Sequence, residues 1–302
     1  MMIYVAISSF NSIRTMSETL DSLLVQDFTA WQAHIIDGGS TDGTLEILSD
    51  YAMRDSRFTI EISKGRSSWR QSAIKHLKRF DKDFFMWLDP DDFLDQNYLR
   101  MCRNNLIESN TYGCIGNIIN VSPQGVFEKN HIANYYSLDF IGNQNSNFRL
   151  ISNFALPNSF GASNLIYSLW RREMAKSFLN ILINSVEGTD FDRRIVMNAL
   201  KQGCISQVNE VSIYRRLKSS PLTLDLKVPL KRTPANPFLC FFREDFRNSS
   251  FKTTIMQHIS EYNFRCRISF VLIYSVRLLL TVFYRITARL RPREIVNLIR
   301  MK

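Results

Sequence analysis

The chain has 302 residues, of which 45% are apolar and 22% charged, and its formal net charge at pH 7 is +10. This composition predicts a globular protein with a sizeable core and excludes an intrinsically disordered chain and a fibre. The five cysteines are odd in number and show no Cys-x-x-Cys spacing. They argue against a zinc site or a disulfide framework and favour a reducing compartment.

Predicted strands and helices alternate through the first third of the chain. Runs rich in apolar residues predict strands at residues 3–8, 33–36, 58–62 and 84–88. Helical spacing of apolar residues begins at Ser17, a predicted N-cap, and occurs again over residues 45–51 and 67–80. This alternation indicates an α/β fold with a doubly wound parallel sheet, whose ligand site lies at the carboxyl ends of the strands.

The strand at residues 84–88 runs into an acidic turn that contains Asp89, Asp91 and Asp92. Carboxylates so close together repel one another unless a cation or a cationic ligand neutralises them. Mg²⁺ and Mn²⁺ prefer oxygen ligands, and Mg²⁺ is commonly held by one or two carboxylates together with substrate phosphates. The alternative is a solvated turn in which Asp92 or Asp95 caps the following helix.

A second polar loop follows the strand at residues 33–36 and contains Asp37, Gly38, Gly39 and Gly43. Glycines permit backbone conformations closed to other residues and let a ligand approach the main chain. The same composition is typical of an ordinary strand-to-helix turn, and it matches neither the dinucleotide fingerprint nor the P-loop. The residues alone leave both interpretations open.

Four blocks of residues stand out by their order and spacing. They are Val-Ala-Ile-Ser-Ser-Phe-Asn at 5–11, Ser22-Leu23 with Gln26, Ile-Ile-Asp-Gly-Gly-Ser-Thr-Asp-Gly-Thr at 35–44, and Leu-Asp-Pro-Asp-Asp at 88–92. Together they resemble family 2 glycosyltransferases with the GT-A fold, as found in bacterial polysaccharide biosynthesis. The resemblance implies a Rossmann-like, mostly parallel sheet flanked by helices over residues 1–225, followed by a mainly helical C-terminal extension over residues 226–302.

The resemblance also implies roles for individual residues in binding a nucleotide-sugar donor. Phe10 and Asn11 would border the nucleotide base. Asp37 would contact the base or the ribose, with Gly38 beside it. Asp89 and Asp91 would form the D-x-D pair that holds Mn²⁺ or Mg²⁺ and the diphosphate, and Asp89 would also contact the donor.

Two segments depart from the family pattern. Phe10 stands where the family usually has Tyr, so its ring can stack on a base but cannot donate a hydroxyl. Gln71 stands where the family often has Asn, and it keeps the amide. Arg66 or Arg70 would contact phosphate, but a solvated helix face is an equal alternative for either arginine.

The second half of the chain predicts the acceptor side of the site. The pattern indicates a strand at 161–167, helices at 170–182 and 193–200, and a strand at 211–216 whose arginines would face phosphate. The resemblance places the catalytic base just before the second of these helices, where Asp190 stands. Glu187 and Asp192 are the fallback positions, and a helix cap fits the spacing of Asp190 equally well.

The C-terminal segment, residues 265–302, carries nine Arg or Lys residues against the single acid Glu294. Its apolar stretch at 268–284 is interrupted by Arg277 and is short for a membrane span, which needs about 20 apolar residues. The combination predicts a helix that lies on an anionic membrane surface with its apolar side down. The alternative is a helix packed on the catalytic domain.

The resemblance, together with the acidic turn, implies a metal-dependent, inverting glycosyltransferase. It would move a sugar from a nucleotide diphosphate donor to a hydroxyl of a glycan or a lipid-linked acceptor, in cell-surface polysaccharide synthesis. The location expected for it is cytoplasmic, as a peripheral protein on the cytoplasmic face of the membrane.

Other classes of function fit the sequence less well. A non-catalytic nucleotide-sugar-binding or scaffold protein of the same fold is the main alternative, because Ser8, Gln71 and Thr189 depart from the family pattern. Nucleic acid is not an expected partner, since the positive charge lies in an apolar tail. The four histidines share no spacing with a Ser, Cys or carboxylate, so they are predicted as surface or packing residues rather than members of a hydrolytic triad.

Overall fold

The computed structural model describes residues 1–63, 68–122, 139–155, 164–184 and 191–216, together with Ile268 and Leu272. The strands are β1 (Ile3–Ser9), β2 (Trp31–Asp37), β3 (Phe58–Ile62), β4 (Phe84–Trp87), β5 (Phe93–Leu94), β6 (Gly113–Val121), β7 (Leu169–Arg171) and β8 (Ile205–Arg216). The α-helices are α1 (Met16–Leu24), α2 (Thr44–Arg54), α3 (Trp69–Arg79), α4 (Tyr98–Glu108), α5 (Ser146–Ala155), α6 (Arg172–Ile183) and α7 (Phe191–Gln202). Short 3₁₀ helices cover Asp139–Gly142 and Asn164–Tyr167.

The strands form one mixed sheet in the order β3-β2-β1-β4-β7-β6-β8-β5. β3, β2, β1 and β4 are parallel to one another, as are β6 and β8. β7 runs antiparallel to both β4 and β6, and β5 runs antiparallel to β8. The predicted α/β fold with a mostly parallel sheet is therefore confirmed, and each antiparallel pair includes β7 or β8, which come from the second half of the chain.

The centre of the core lies at β1 and β4. All four residues of β4 are buried, as are six of the seven residues of β1. Continuous apolar runs of this kind are typical of central parallel strands covered on both faces by helices. The Phe85 ring packs at 4.5 Å from Trp87 and stacks at 5.7 Å on Tyr4, which fixes β4 against β1.

α3 begins with a side-chain cap, α1 begins without one, and the predicted start of α1 was wrong. α1 has Thr15 at its N-cap, so Ser17 lies inside the helix instead of capping it. α3 begins after Ser68, whose side chain accepts from the backbone N–H of Gln71 while the Gln71 side chain accepts from the Ser68 N–H. This reciprocal capping box satisfies two donors that a helix start otherwise leaves unpaired.

Two further predictions on secondary structure were wrong. α4 has Asn97 at its N-cap, so neither Asp92 nor Asp95 caps that helix. The strand predicted at residues 161–167 is, over its described part, the 3₁₀ helix Asn164–Tyr167. A hydrogen bond from the buried Trp170 side chain to the carbonyl of Ile166, at 3.0 Å, secures this turn ahead of β7.

The predicted C-terminal extension, residues 226–302, lies outside the described residues except for Ile268 and Leu272, which are both helical and exposed. Within the described part of the chain, the helices are too short or too polar to cross a membrane. The boundary between the two predicted domains stays a prediction.

Candidate functional site

The predicted site loops meet at one edge of the sheet. Ser9 at the end of β1 is in register with Asp37 at the end of β2, and Ala6 is in register with Trp87 in β4. Because these strands are parallel, the loops that follow them emerge side by side at their carboxyl ends. This edge is where the sequence predicts the ligand site.

The loop after β2 is organised by Asp37, which is fully buried. Its Oδ1 accepts the backbone N–H groups of Gly39 and Ser40 at 2.9 and 2.7 Å, and its Oδ2 accepts the Ser40 hydroxyl at 2.7 Å. The N–H of Gly38 donates to the Ser9 carbonyl at 2.8 Å, which ties the loop to β1. The Asp37 carboxylate thus fixes the loop from within, and its predicted contact with a base or ribose stays a prediction.

The two residues predicted to border a base lie beside that loop. Asn11 has a left-handed backbone, with φ of 50°, and its side-chain oxygen accepts the N–H of Thr41 at 3.0 Å. Its own N–H donates to the Ser40 hydroxyl oxygen at 2.8 Å. Phe10 has 37% of its surface exposed, so its ring is accessible for stacking.

Arg70 and Gln71, also predicted as donor-binding residues, both make structural contacts in and around α3. The Arg70 guanidinium donates to the carbonyls of Leu182 and Ile183 at 2.8 and 3.0 Å, at the end of α6, and lies 5.8 Å over the Phe191 ring. The Gln71 amide closes the capping box of α3. Their predicted contacts with a donor stay predictions.

The acidic turn brings carboxylate oxygens of Asp89, Asp91 and Asp92 within 4.8 Å of one another. Asp89 and Asp91 are partly exposed, whereas Asp92 is buried. One oxygen of Asp89 accepts the Tyr167 hydroxyl at 2.6 Å. A cluster of oxygen donors at this spacing could hold a hard divalent cation, with the two accessible carboxylates as ligands.

Asp92 is held by β8 and by α1. Its two carboxylate oxygens accept the Arg216 N–H at 3.0 Å and the Arg215 Nε at 3.4 Å, while its carbonyl accepts the Thr19 hydroxyl at 2.8 Å. Burial raises the pKa of Asp92 to about 8, and the negative charge of Asp89 adds to the rise against the opposing charge of Arg215. The turn is therefore a fixed part of the structure, in which Asp89 and Asp91 are the carboxylates that reach the surface.

A family model described as Glycosyl transferase family 2 matches residues 4–167, which is more than half of the chain. The chain belongs to glycosyltransferase family 2. The prediction of an enzyme, a glycosyltransferase, is thereby confirmed, and the matched region contains both loops and the acidic turn described above.

Curated bacterial glycosyltransferases match part of this chain. UDP-Glc:alpha-D-GlcNAc-diphosphoundecaprenol beta-1,3-glucosyltransferase WfgD of Escherichia coli is 29% identical over 117 residues, covering 38% of this chain and 45% of WfgD. A putative teichuronic acid biosynthesis glycosyltransferase of Bacillus subtilis, TuaG, is 32% identical over 84 residues, covering 28% of this chain and 33% of TuaG. The chain spans less than half the length of these curated relatives.

The fold is shared with TarS of Staphylococcus aureus, for which structures have been solved. One TarS structure, a complex with UDP, superposes with a TM-score of 0.54 at 18% identity, covering 72% of this chain and 61% of that chain. At this level of identity the likeness shows the fold alone. It confirms the GT-A fold that the sequence blocks predict.

The structure of the glycosyltransferase leaves three positions predicted for the site undescribed and adds one residue. Asp190, the predicted catalytic base, lies outside the described residues, as do Glu187 and Arg66. The fallback Asp192 lies in the first turn of α7. The arginines at the end of β8 reach the acidic turn, where both contact Asp92. The sequence did not predict the contact of Tyr167 with Asp89, because no local pattern connects residues so far apart in the chain.

Proposed function

We propose that this glycosyltransferase is metal-dependent and inverting, and that it transfers a sugar from a nucleotide diphosphate to a hydroxyl of a glycan or lipid-linked acceptor in cell-surface polysaccharide synthesis. The observation that carries the proposal is the cluster of three carboxylates at the carboxyl end of β4. A donor diphosphate adds further negative charge there, so a cation is needed for the two to lie together.

The donor set fits Mn²⁺ or Mg²⁺. Asp89 and Asp91 offer accessible carboxylate oxygens, which hard divalent cations prefer, whereas Asp92 is occupied by β8. Arg215 pairs with the buried Asp92 at 3.4 Å, which leaves the partly exposed carboxylates of Asp89 and Asp91 for a divalent cation to neutralise. When bound there, the metal would neutralise the charge that develops on the departing nucleoside diphosphate.

The residues of the chain supply binding and proton transfer. The exposed Phe10 ring would stack on the base, beside the loop that Asp37 holds rigid. Asp190, which immediately precedes α7 in the chain, would accept the proton of the acceptor hydroxyl. The acceptor oxygen would bond to the anomeric carbon as the bond to the diphosphate breaks on the opposite face, which inverts the configuration at that carbon.

The comparisons support a uridine nucleotide and a lipid-linked acceptor as the first choices to test. The name of WfgD states a UDP-glucose donor and a diphosphoundecaprenol-linked acceptor, and TarS structures contain UDP or UDP-GlcNAc. An acceptor of this kind lies in a membrane. The basic and apolar C-terminal segment would bring the enzyme to that surface, on the cytoplasmic face.

The test of the donor and metal is a screen of nucleotide sugars by thermal unfolding, with and without Mn²⁺. Ligands that bind the native state raise the melting temperature by mass action. We expect a UDP-sugar to raise it with Mn²⁺ and to have a much smaller effect in EDTA. An equal shift in both conditions would contradict metal dependence. The acceptor is tested separately, by transfer of radiolabelled sugar to a polyprenyl-diphosphate sugar.

A further inference from the structure

The 3₁₀ helix Asn164–Tyr167 and the end of β8 converge on the acidic turn. The Tyr167 hydroxyl donates to Asp89 Oδ2 at 2.6 Å. The Arg215 guanidinium lies 4.8 Å over the Tyr167 ring and donates through Nη1 to Asn164 Oδ1 at 2.7 Å. Both the ring and the turn that carries it are therefore held by the same arginine.

Asp89 and Asp92 are held in different ways within this cluster. Asp92 is almost completely buried and directs both carboxylate oxygens at β8, where Arg215 and the Arg216 N–H are its donors. Asp89 is partly exposed and has one oxygen engaged by Tyr167. A carboxylate with one oxygen fixed in this way has its rotamer set, and its second oxygen is the one left to face a ligand.

We propose that Tyr167 is a positioning residue for Asp89 and that Arg215 acts through Tyr167 by holding its ring. Asp92 then holds Arg215 in place by accepting its hydrogen bond. Asp89 and Asp91 would bind the metal. The inference rests on the proposed metal binding at this turn. Hydrogen bonds to metal-bound carboxylates orient them, and their loss typically weakens metal binding or activity by about 10- to 100-fold.

The experiment measures Mn²⁺ binding to the full chain, alone and with UDP, from the loss of the free-ion signal in electron paramagnetic resonance. Tyr167→Phe removes the hydroxyl and keeps the ring, and we expect about tenfold weaker Mn²⁺ binding. Tyr214→Phe is the matched control, because its hydroxyl also donates to an aspartate, Asp95 Oδ1 at 2.8 Å, outside the cluster. We expect the control to bind Mn²⁺ as the wild type does.

A second pair of variants tests the role of Arg215. Arg215→Lys keeps the charge but lacks the planar group that lies over Tyr167 and reaches Asn164. The matched control is Arg57→Lys, since Arg57 also pairs with an aspartate, Asp55 at 2.6 Å, and lies 4.0 Å over the Trp31 ring. If Arg215 acts through Tyr167, the double variant Tyr167→Phe with Arg215→Lys binds Mn²⁺ no more weakly than Tyr167→Phe alone.

The outcomes separate the inference from the proposal on which it rests. Melting temperatures near that of the wild type show that the variants are folded. Wild-type Mn²⁺ affinity in a folded Tyr167→Phe variant would overturn the positioning role while leaving the metal site in place. Additive losses in the double variant would overturn the dependence of Arg215 on Tyr167. Absence of Mn²⁺ binding by the wild type, with and without UDP, would refute the metal site and the inference together.

Discussion

His34 and His76 face each other in the core, with their Nδ1 atoms 3.3 Å apart. His76 comes from α3 and is fully buried, and its Nε2 lies 3.2 Å from the carbonyl oxygen of Ile7 in β1. The Tyr4 hydroxyl also lies 3.3 Å from His76 Nδ1. Burial, followed by the proximity of His34, lowers the pKa of His76 to about 3, and burial lowers the pKa of His34 as well.

These shifts predict how stability depends on pH. Between pH 6.5 and 3 the unfolded chain protonates His76 while the native chain keeps it neutral, so the free energy of unfolding falls as the pH falls. The slope from one such group is about 1.4 kcal/mol per pH unit. We expect urea unfolding at pH 5 and pH 7 to show a smaller difference in His76→Asn than in the wild type.

The comparison must be made between variants because other groups titrate in the same range. Glu61 lies 3.9 Å from His34 Nε2 and also pairs with Arg79 and Lys75. Asp92, whose pKa is raised to about 8, has the opposite effect, because it lowers the free energy of unfolding as the pH rises from 3.8 towards 8. An unchanged pH difference in a folded His76→Asn variant would show that this histidine is not the source.

Asp91→Asn tests the metal site directly. The substitution removes a charge from a partly exposed position, so we expect the fold to survive while Mn²⁺-dependent binding of UDP weakens by about tenfold or more. The measurement is the UDP-induced rise in melting temperature with and without Mn²⁺. Asp81→Asn is the control, because the Asp81 side chain is 70% exposed and lies outside the cluster. Equal Mn²⁺ dependence in both variants would remove Asp91 from the site.

The two loops at the sheet edge were predictable because each follows a run of buried apolar residues. The core strand β4 ends next to Asp89, and β2 ends at Asp37, so strand ends and site residues coincide in the sequence. Local patterns could not predict Tyr167, since it reaches Asp89 only after β7 has paired with β4. They also misplaced the start of α1, because Thr15 and Ser17 are both acceptable capping residues and the local sequence does not distinguish them.

Asp190→Asn tests the proposed general base. An amide keeps the size and polarity of the side chain but cannot take a proton, so donor binding should persist while turnover falls by about 10²-fold or more. The measurement is single-turnover transfer from the donor that the thermal screen identifies. Asp192→Asn is the matched comparison, two residues further on in the first turn of α7. Normal turnover in Asp190→Asn with loss in Asp192→Asn would move the role to Asp192.

The C-terminal segment predicts attachment to an anionic membrane. Each basic residue near such a surface contributes about 1 kcal/mol, and the segment has nine. Ile268 and Leu272 are both helical and exposed, so their apolar side chains could enter the lipid interface. We expect the full chain to sediment with liposomes that contain anionic lipid and to remain in the supernatant with neutral ones.

The control for this prediction shows whether sedimentation depends on the basic residues of the C-terminal segment or on positive charge anywhere in the chain. One variant replaces four basic residues of the segment with Gln, namely Arg285, Arg289, Arg291 and Arg293. The matched variant replaces four basic residues of the catalytic domain whose side chains are 41–68% exposed, namely Arg54, Lys75, Arg79 and Arg100. We expect only the variant with four substitutions in the C-terminal segment to lose sedimentation with liposomes. We expect high salt to release the wild type only in part, because salt screens charges but does not weaken apolar insertion. Equal sedimentation of both variants would show that the segment is not the membrane contact, and a lipid-linked acceptor would lose its main physical support.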